Sequence, residues 1–201
     1  MKILSSSRVR RLTATLILSG IAYLVSSWQD SGPGQSAVAA GAYTLAGQVV
    51  DVSDGDTLGV LVGRTRHRVR LASIDAPETS HGRQRPGQPY AQAARKKLSD
   101  LVAGRSLTLR CYEQDRYGRD VCDVPLPDGR TANRAMVESG MAWANLQGGG
   151  KYLRDASLSS LERQAREQHL GLWRQPGAVA PWDWRWKCWD ALENGRSTSI
   201  C

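Results

Sequence analysis

The chain alternates between two hydrophobic periods. Over 43–74 and again over 106–126, apolar residues recur at every second position in segments such as Val69-Arg70-Leu71 and Leu107-Thr108-Leu109-Arg110-Cys111. That is the pattern of strands with one face on a core. The first block reads as three strands, over 43–52, 57–62 and 67–74. Asp54-Gly55 and the stretch 63–66 are the turns between them. Over 90–104, "YAQAARKKLSDLVAG", the spacing becomes helical and stops at Gly104, a residue suited to a helix C-terminus. "SLTLRCYE" and "RDVCDVPL" are the fourth and fifth strands. "DGRTANRAMVESG" turns into a short helix ending at Gly140, and a helix with a polar face follows over 157–171. Three strands, a helix, two strands and then helices predict an α+β domain: a five-stranded Greek-key β-barrel of the OB type with about three helices. No internal repeat is visible.

The ends of the chain break this pattern. Lys2, Arg8, Arg10 and Arg11 precede an apolar run from Leu12 to Val25, which is short for a membrane span of about 20 residues and suits an export signal. Ala37-Val38-Ala39 matches the small-x-small cleavage pattern, but it lies far from the apolar run, so an uncleaved N-terminal membrane anchor is the alternative. The expected organisation is therefore a signal or anchor with linker over 1–40, the barrel domain over 41–175, and a tryptophan-rich extension over 176–201. Either N-terminus places the domain outside the cytoplasm, periplasmic or secreted.

The cysteines agree with export. Cys111, Cys122, Cys188 and Cys201 form an even set suited to an oxidising compartment, and none has zinc-finger spacing or histidine partners. A hairpin of the fourth and fifth strands would set Cys111 across from Cys122, which favours the pairs 111–122 and 188–201. The formal charge is +8, and residues 41–201 still carry 23 basic against 18 acidic residues. Such a balance fits a polyanionic partner, nucleic acid or an anionic membrane surface.

The chemistry-bearing residues lie in "SDGDTLGVLVGRTRHRVRLASIDAPET", Ser53 to Thr79. Pairing 57–62 against 67–74 about the turn at 63–66 sets residue 75 opposite 54–56. Asp56 leaves a turn and Asp75 enters a loop, so both carboxylates reach one end of the sheet. Two close carboxylates repel unless a cation or proton lies between them, and a hard divalent ion with oxygen ligands meets that need. Pro77 biases Ala76 towards extended backbone, which could aim its carbonyl at the same ion. Glu78 is near enough to hold a water. Arg70 lies on the strand that delivers Asp75, and a guanidinium matches phosphate oxygens two at a time. Singly, each of these residues reads as turn chemistry or surface charge. Together they describe metal-assisted attack on a phosphodiester.

"DGDT" (54–57), "RLASIDAPET" (70–79) and "DRYGR" (115–119), in this order and in register with the strands, resemble the staphylococcal nuclease (thermonuclease) family over about residues 43–174. The tail "APWDWRWK" and the cysteines flanking "DRYGR" resemble its exported bacterial members. The resemblance implies a Ca²⁺-dependent nuclease that cuts DNA and RNA to 3′-phosphate ends with one bound ion. It makes Asp56 and Asp75 metal ligands, with the backbone carbonyl of Ala76, and puts Asp54 behind them. It makes Glu78 the residue that positions or deprotonates the attacking water. Arg70 and Arg119 become the phosphate clamps, and Arg116 and Tyr117 contacts to a terminal phosphate and base. Two departures stand out. The loop between the fourth and fifth strands is shorter. "WANLQGGGKYLRDA" offers Tyr152 where the family has more aromatic residues for stacking.

A module that binds nucleic acid without cutting it is the competing reading, although such modules typically lose the carboxylates. His67, His81 and His169 form no spaced set of ligands. Trp182, Trp184, Trp186 and Trp189 alternate as in a strand at first and are expected to pack the extension onto the barrel. "RQAREQH" reads as a solvated helix face. "HGRQRPGQP" reads either as a mobile loop over the site, with Arg83 and Arg85 on phosphates, or as surface. Membrane association rests on the N-terminal apolar run, and the expected state is a monomer.

Overall fold

The computed structural model describes residues 42–201; the expected signal or anchor lies outside them. Strands β1 (Tyr43–Val52), β2 (Thr57–Val62), β3 (Thr65–Leu71), β5 (Ser106–Gln114) and β6 (Asp120–Asp123) close into a barrel in the order β1-β2-β3-β6-β5. All neighbours are antiparallel except β3 and β6, which run parallel. The five-stranded barrel read from the sequence is therefore the fold. Its interior holds the alternate apolar positions: Val49 of β1, Leu58 and Val60 of β2, Val69 and Leu71 of β3, and Leu109 of β5. Cys111 and Cys122 are direct cross-strand partners and form one disulfide; Cys188 and Cys201 form the other. Both expected pairings are thus present.

Helix α1 (Ala91–Val102) buries Ala94, Leu98 and Val102 against the barrel, one apolar stripe at the helical spacing. Helix α2 (Ala132–Glu138) starts at Thr131, whose hydroxyl accepts from the backbone of Arg134, and buries Met136 and Val137. Helix α3 (Leu158–Glu167) buries Leu158, Glu162 and Ala165 and leaves the face of Arg163, Gln164 and Glu167 in solvent. The polar run was read correctly as a solvated face.

Two elements differ from the sequence reading. The third strand does not run to residue 74. It stops at Leu71, turns through Ser73 at a positive φ of 67°, and resumes as β4 (Ile74–Asp75), which pairs with β7 (Trp143–Ala144) outside the barrel. Asn133, buried on α2, holds this corner: its Nδ2 donates to the carbonyls of Ala72 and Cys122, and its Oδ1 accepts from Val124. A buried side-chain amide satisfied on both ends can set such a turn where periodicity cannot announce it.

The second difference is the tail. The alternating tryptophans are helical, not extended: Pro181–Trp184 continues through a π turn, Arg185–Trp189, into Asp190–Glu193, a single run here named α4. Trp184 and Trp189 are buried, while Trp186 is 72 % exposed. Both buried indoles donate to one acceptor, the carbonyl of Pro86, at 3.0 and 2.9 Å. The loop "HGRQRPGQP" is therefore pinned beneath the extension, and its Arg85 pairs with Glu193 instead of facing a phosphate. Among the described residues no helix is long and apolar enough to cross a membrane.

Candidate active site

The β2–β3 hairpin sets the site. Thr57 pairs with Arg70, and the next backbone bond runs from Leu71 N–H to the Asp56 carbonyl at 2.8 Å. Asp56 thus sits at the head of β2, beside the end of β3. The kink through Ser73 then carries Asp75 back to the same rim. Asp56 is 2 % exposed and Asp75 fully buried. The sequence pairing brought these two carboxylates to one end, and the structure does so.

Arg70 bridges them. Its Nη1 lies 3.0 Å from Asp56 Oδ1 and its Nη2 2.6 Å from Asp75 Oδ1. Asp56 Oδ2 accepts the backbone N–H of Ala76 at 2.8 Å, and Asp54 Oδ1 accepts the N–H of Asp56 at 3.0 Å. Asp54 and Ala76 therefore hold Asp56 in place from either side. Gly55 makes this approach possible. A Cβ there would lie 2.7 Å from the Cβ atoms of both Ala76 and Ala94.

Burial divides the carboxylates electrostatically. Asp56 is pushed above the usual carboxylate range, by burial first and by the charges of Asp54 and Asp75, against the pull of Arg70. Asp75 meets the same burial, but Arg70 and Arg185 overcome it and hold it below that range. Glu78 is raised, by burial first and by Asp56 and Asp75, with Arg185 opposing.

Arg185 is the residue the sequence reading missed. Its Nη2 lies 2.7 Å from Asp75 Oδ2, its Nη1 lies 3.3 Å from Asp75 Oδ1, and Nη1 also pairs with Glu78. A helical reading of 184–189 would only have set Arg185 on one stripe with Trp184, Cys188 and Trp189; nothing in the spacing pairs it with Asp75. Gln88 ties this arrangement together. Its Oε1 accepts from Glu78 N–H at 2.9 Å, and its Nε2 donates to Val179 O at 2.9 Å, at the entry to the extension.

Arg119 does not join the acid cluster. Its Nη2 is 2.7 Å from Asp115, which also accepts the backbone N–H groups of Tyr117 and Arg119. The tight β5–β6 turn satisfies Arg119 locally, while the parallel pairing of β6 on β3 keeps it beside the strand that carries Arg70. Tyr117 is 60 % exposed, with the guanidinium carbons of Arg116 and Arg119 at 4.8 and 5.3 Å from its ring centroid. Tyr152 is half exposed under the ammonium of Lys151, 4.7 Å away. His67 is spent on Asp120 and His81 on the Trp189 ring, so neither enters a ligand set.

Among the described residues no group of three or more His, Cys, Asp or Glu side chains is gathered to enclose a metal ion. The donor set is nonetheless that of a hard cation: oxygen only, with two buried carboxylates bridged by Arg70 and Arg185 on one of them. An ion there would be held by Asp56 and Asp75, with water completing its shell.

Comparison with known proteins gives a consistent result. Residues 68–175 match the family model described as staphylococcal nuclease homologue. A micrococcal nuclease of Shigella flexneri is 44 % identical over 147 residues, which is 69 % of this chain and 79 % of that protein. An uncharacterized endonuclease of Escherichia coli O157:H7 is 40 % identical over 141 residues, 70 % of this chain and 85 % of that protein. Another uncharacterized endonuclease, of Haemophilus influenzae, is 37 % identical over 139 residues, 69 % of this chain and 71 % of that protein.

Proposed function

The chain belongs to the staphylococcal nuclease homologue family, and from that premise we propose that it is an exported Ca²⁺-dependent nuclease that hydrolyses phosphodiester bonds of DNA or RNA to 3′-phosphate ends. The observation that carries this reading is Arg70 bridging buried Asp56 and Asp75, with Glu78 beside them. Export is supported by the two disulfides, which suit an oxidising compartment.

When bound at Asp56 and Asp75, Ca²⁺ would draw charge from a phosphate oxygen. The residues of the chain supply the rest. Glu78, raised by burial, takes a proton from water as its oxygen attacks phosphorus. The new O–P bond forms, the P–O5′ bond breaks, the departing O5′ takes a proton from solvent water, and the products are a 3′-phosphate and a 5′-hydroxyl. Arg70, whose Nη1 and Nη2 now hold Asp56 and Asp75, would turn these two donors to the scissile phosphate once a cation takes over the aspartates. Arg119 is the second clamp, released from Asp115 by the stronger pull of a phosphate. Tyr117 offers an exposed ring for a base, and Arg116 a charge for a neighbouring phosphate.

One observation favours the second reading, a module that binds nucleic acid without cutting it: Arg185 engages both Asp75 and Glu78. A single assay separates the two. The protein should digest single-stranded DNA with Ca²⁺, stop with EDTA, and leave ends that a 3′-phosphatase converts to primers. Binding without metal-dependent cleavage would establish the module instead.

A further inference from the structure

The C-terminal run α4 delivers a second guanidinium, that of Arg185, to the acid cluster. We propose that Arg185 is the resident counter-ion of the carboxylate cluster, so that uptake of a divalent cation is an exchange of this guanidinium for the ion. The inference rests on the cation reading above and adds to it a residue that sets cation affinity.

Three observations carry it. The first is stoichiometric. Asp75 has two oxygens, and Arg185 reaches both, at 3.3 Å for Oδ1 and 2.7 Å for Oδ2, while Arg70 holds Oδ1 at 2.6 Å. A cation ligated by Asp75 needs an oxygen that Arg185 now holds. The second is charge. Three carboxylates, Asp56, Asp75 and Glu78, face two guanidinium groups. A divalent cation added to that set would leave positive charges crowded in a buried site, and they repel strongly where water is scarce. Departure of Arg185 relieves this. It also frees Glu78, so cation uptake and release of the proton acceptor become one event.

The third observation is that Arg185 is placed there by construction. Trp184, the residue before it, and Trp189, four after it, both donate to Pro86 O. Cys188 is tied to Cys201, and Gln88 links the backbone of Glu78 to Val179. Arg185 is also the first residue of a π turn, which inserts an extra residue per turn and alters where the side chain points; such turns cluster at functional positions. The anchors grip the residues on either side of Arg185, while its own side chain, a flexible stem, is one-third exposed. The backbone can therefore stay put while the head group leaves.

The test is calorimetric titration of the full chain with CaCl₂ in the absence of nucleic acid, comparing wild type with Arg185→Ala and Arg185→Lys. The exchange predicts that Arg185→Ala binds Ca²⁺ at least tenfold more tightly. Arg185→Lys, whose ammonium cannot chelate Asp75 with two parallel donors, should be intermediate. Melting temperature supplies a second readout: in EDTA Arg185→Ala melts below wild type, and added Ca²⁺ raises it by more than it raises wild type. A purely structural role for Arg185 would instead lower both melting temperatures by the same amount, and overturns the proposal. So does a Ca²⁺ affinity that is unchanged or weaker in Arg185→Ala. Uptake of Ca²⁺ by neither protein would overturn the cation reading, and the exchange with it.

Discussion

Asp56 and Ala76 are joined across 20 residues by one hydrogen bond, from the backbone N–H of Ala76 to Asp56 Oδ2 at 2.8 Å. That bond fixes the head of β2 to the segment that follows Asp75, and so fixes the distance between the two buried aspartates. It exists because Gly55 has no side chain to push the segments apart. Gly55→Ala should place a methyl 2.7 Å from two others, which overpacks the contact at a cost of about 1–3 kcal/mol. The expected result is a lower melting temperature together with a loss of cleavage larger than the loss of stability explains. Urea unfolding and initial rates on single-stranded DNA, measured on one preparation, check it.

Glu78 is proposed to take the proton from the attacking water. Glu78→Gln keeps the shape and the backbone bond to Gln88 but cannot accept that proton. The rate should fall by about 10²–10⁴-fold, the range for a lost general base. Affinity for a non-cleavable oligonucleotide should stay within a few-fold, as read by fluorescence anisotropy.

Arg119 waits on Asp115 in the β5–β6 turn, within 2.7 Å. Arg119→Ala should cost about 10²–10³-fold in kcat, as for loss of one donor aimed at developing charge. Arg119→Lys should recover little, because one ammonium cannot reproduce the planar fork. Asp115→Ala leaves the guanidinium in place but unheld, so its loss should be smaller. Single-turnover rates of the three variants give the order.

Asn133 satisfies three backbone groups at the Ser73 corner. Asn133→Ala strands the Ala72 carbonyl and the Val124 N–H, each worth about 1–3 kcal/mol when unpaired, while the Cys122 carbonyl keeps the Ala72 N–H. The expected destabilisation is about 3 kcal/mol or more by chemical denaturation, with Asp75 mispositioned in whatever remains folded.

Tyr43 donates to Asp120 Oδ1 at 2.5 Å, and its pKa is pushed from 10.0 to about 12, by burial first and then by that carboxylate. A folded-state pKa above the unfolded one contributes stability that is present below pH 10 and lost as pH rises towards 12. Wild type should therefore lose stability between those values, and Tyr43→Phe should lose less over the same interval. Thermal melts at half-unit steps of pH measure the difference.

Much of this was readable along the chain because local rules govern it. The strand period placed Val49, Leu58, Val69 and Leu109 inside a barrel, and the hairpin about 63–66 brought Asp56 and Asp75 to one rim. A cross-strand hairpin likewise paired Cys111 with Cys122. Each of these follows from period, turn length and register, which neighbouring residues set among themselves.

What the tertiary structure alone decided is who stands opposite whom when the partners are far apart in sequence. The strand that should have run to 74 breaks at Ser73 because Asn133, 61 residues from Ala72, captures the carbonyl there. The tryptophan tail is a helix because Pro86, about a hundred residues earlier, offers one carbonyl to two indoles. Arg185 lies 110 residues from Asp75, and no periodicity carries that pairing. Burial makes it decisive, since two carboxylates shut away from water must find positive charge, and the fold brought the nearest supply from the far end of the chain.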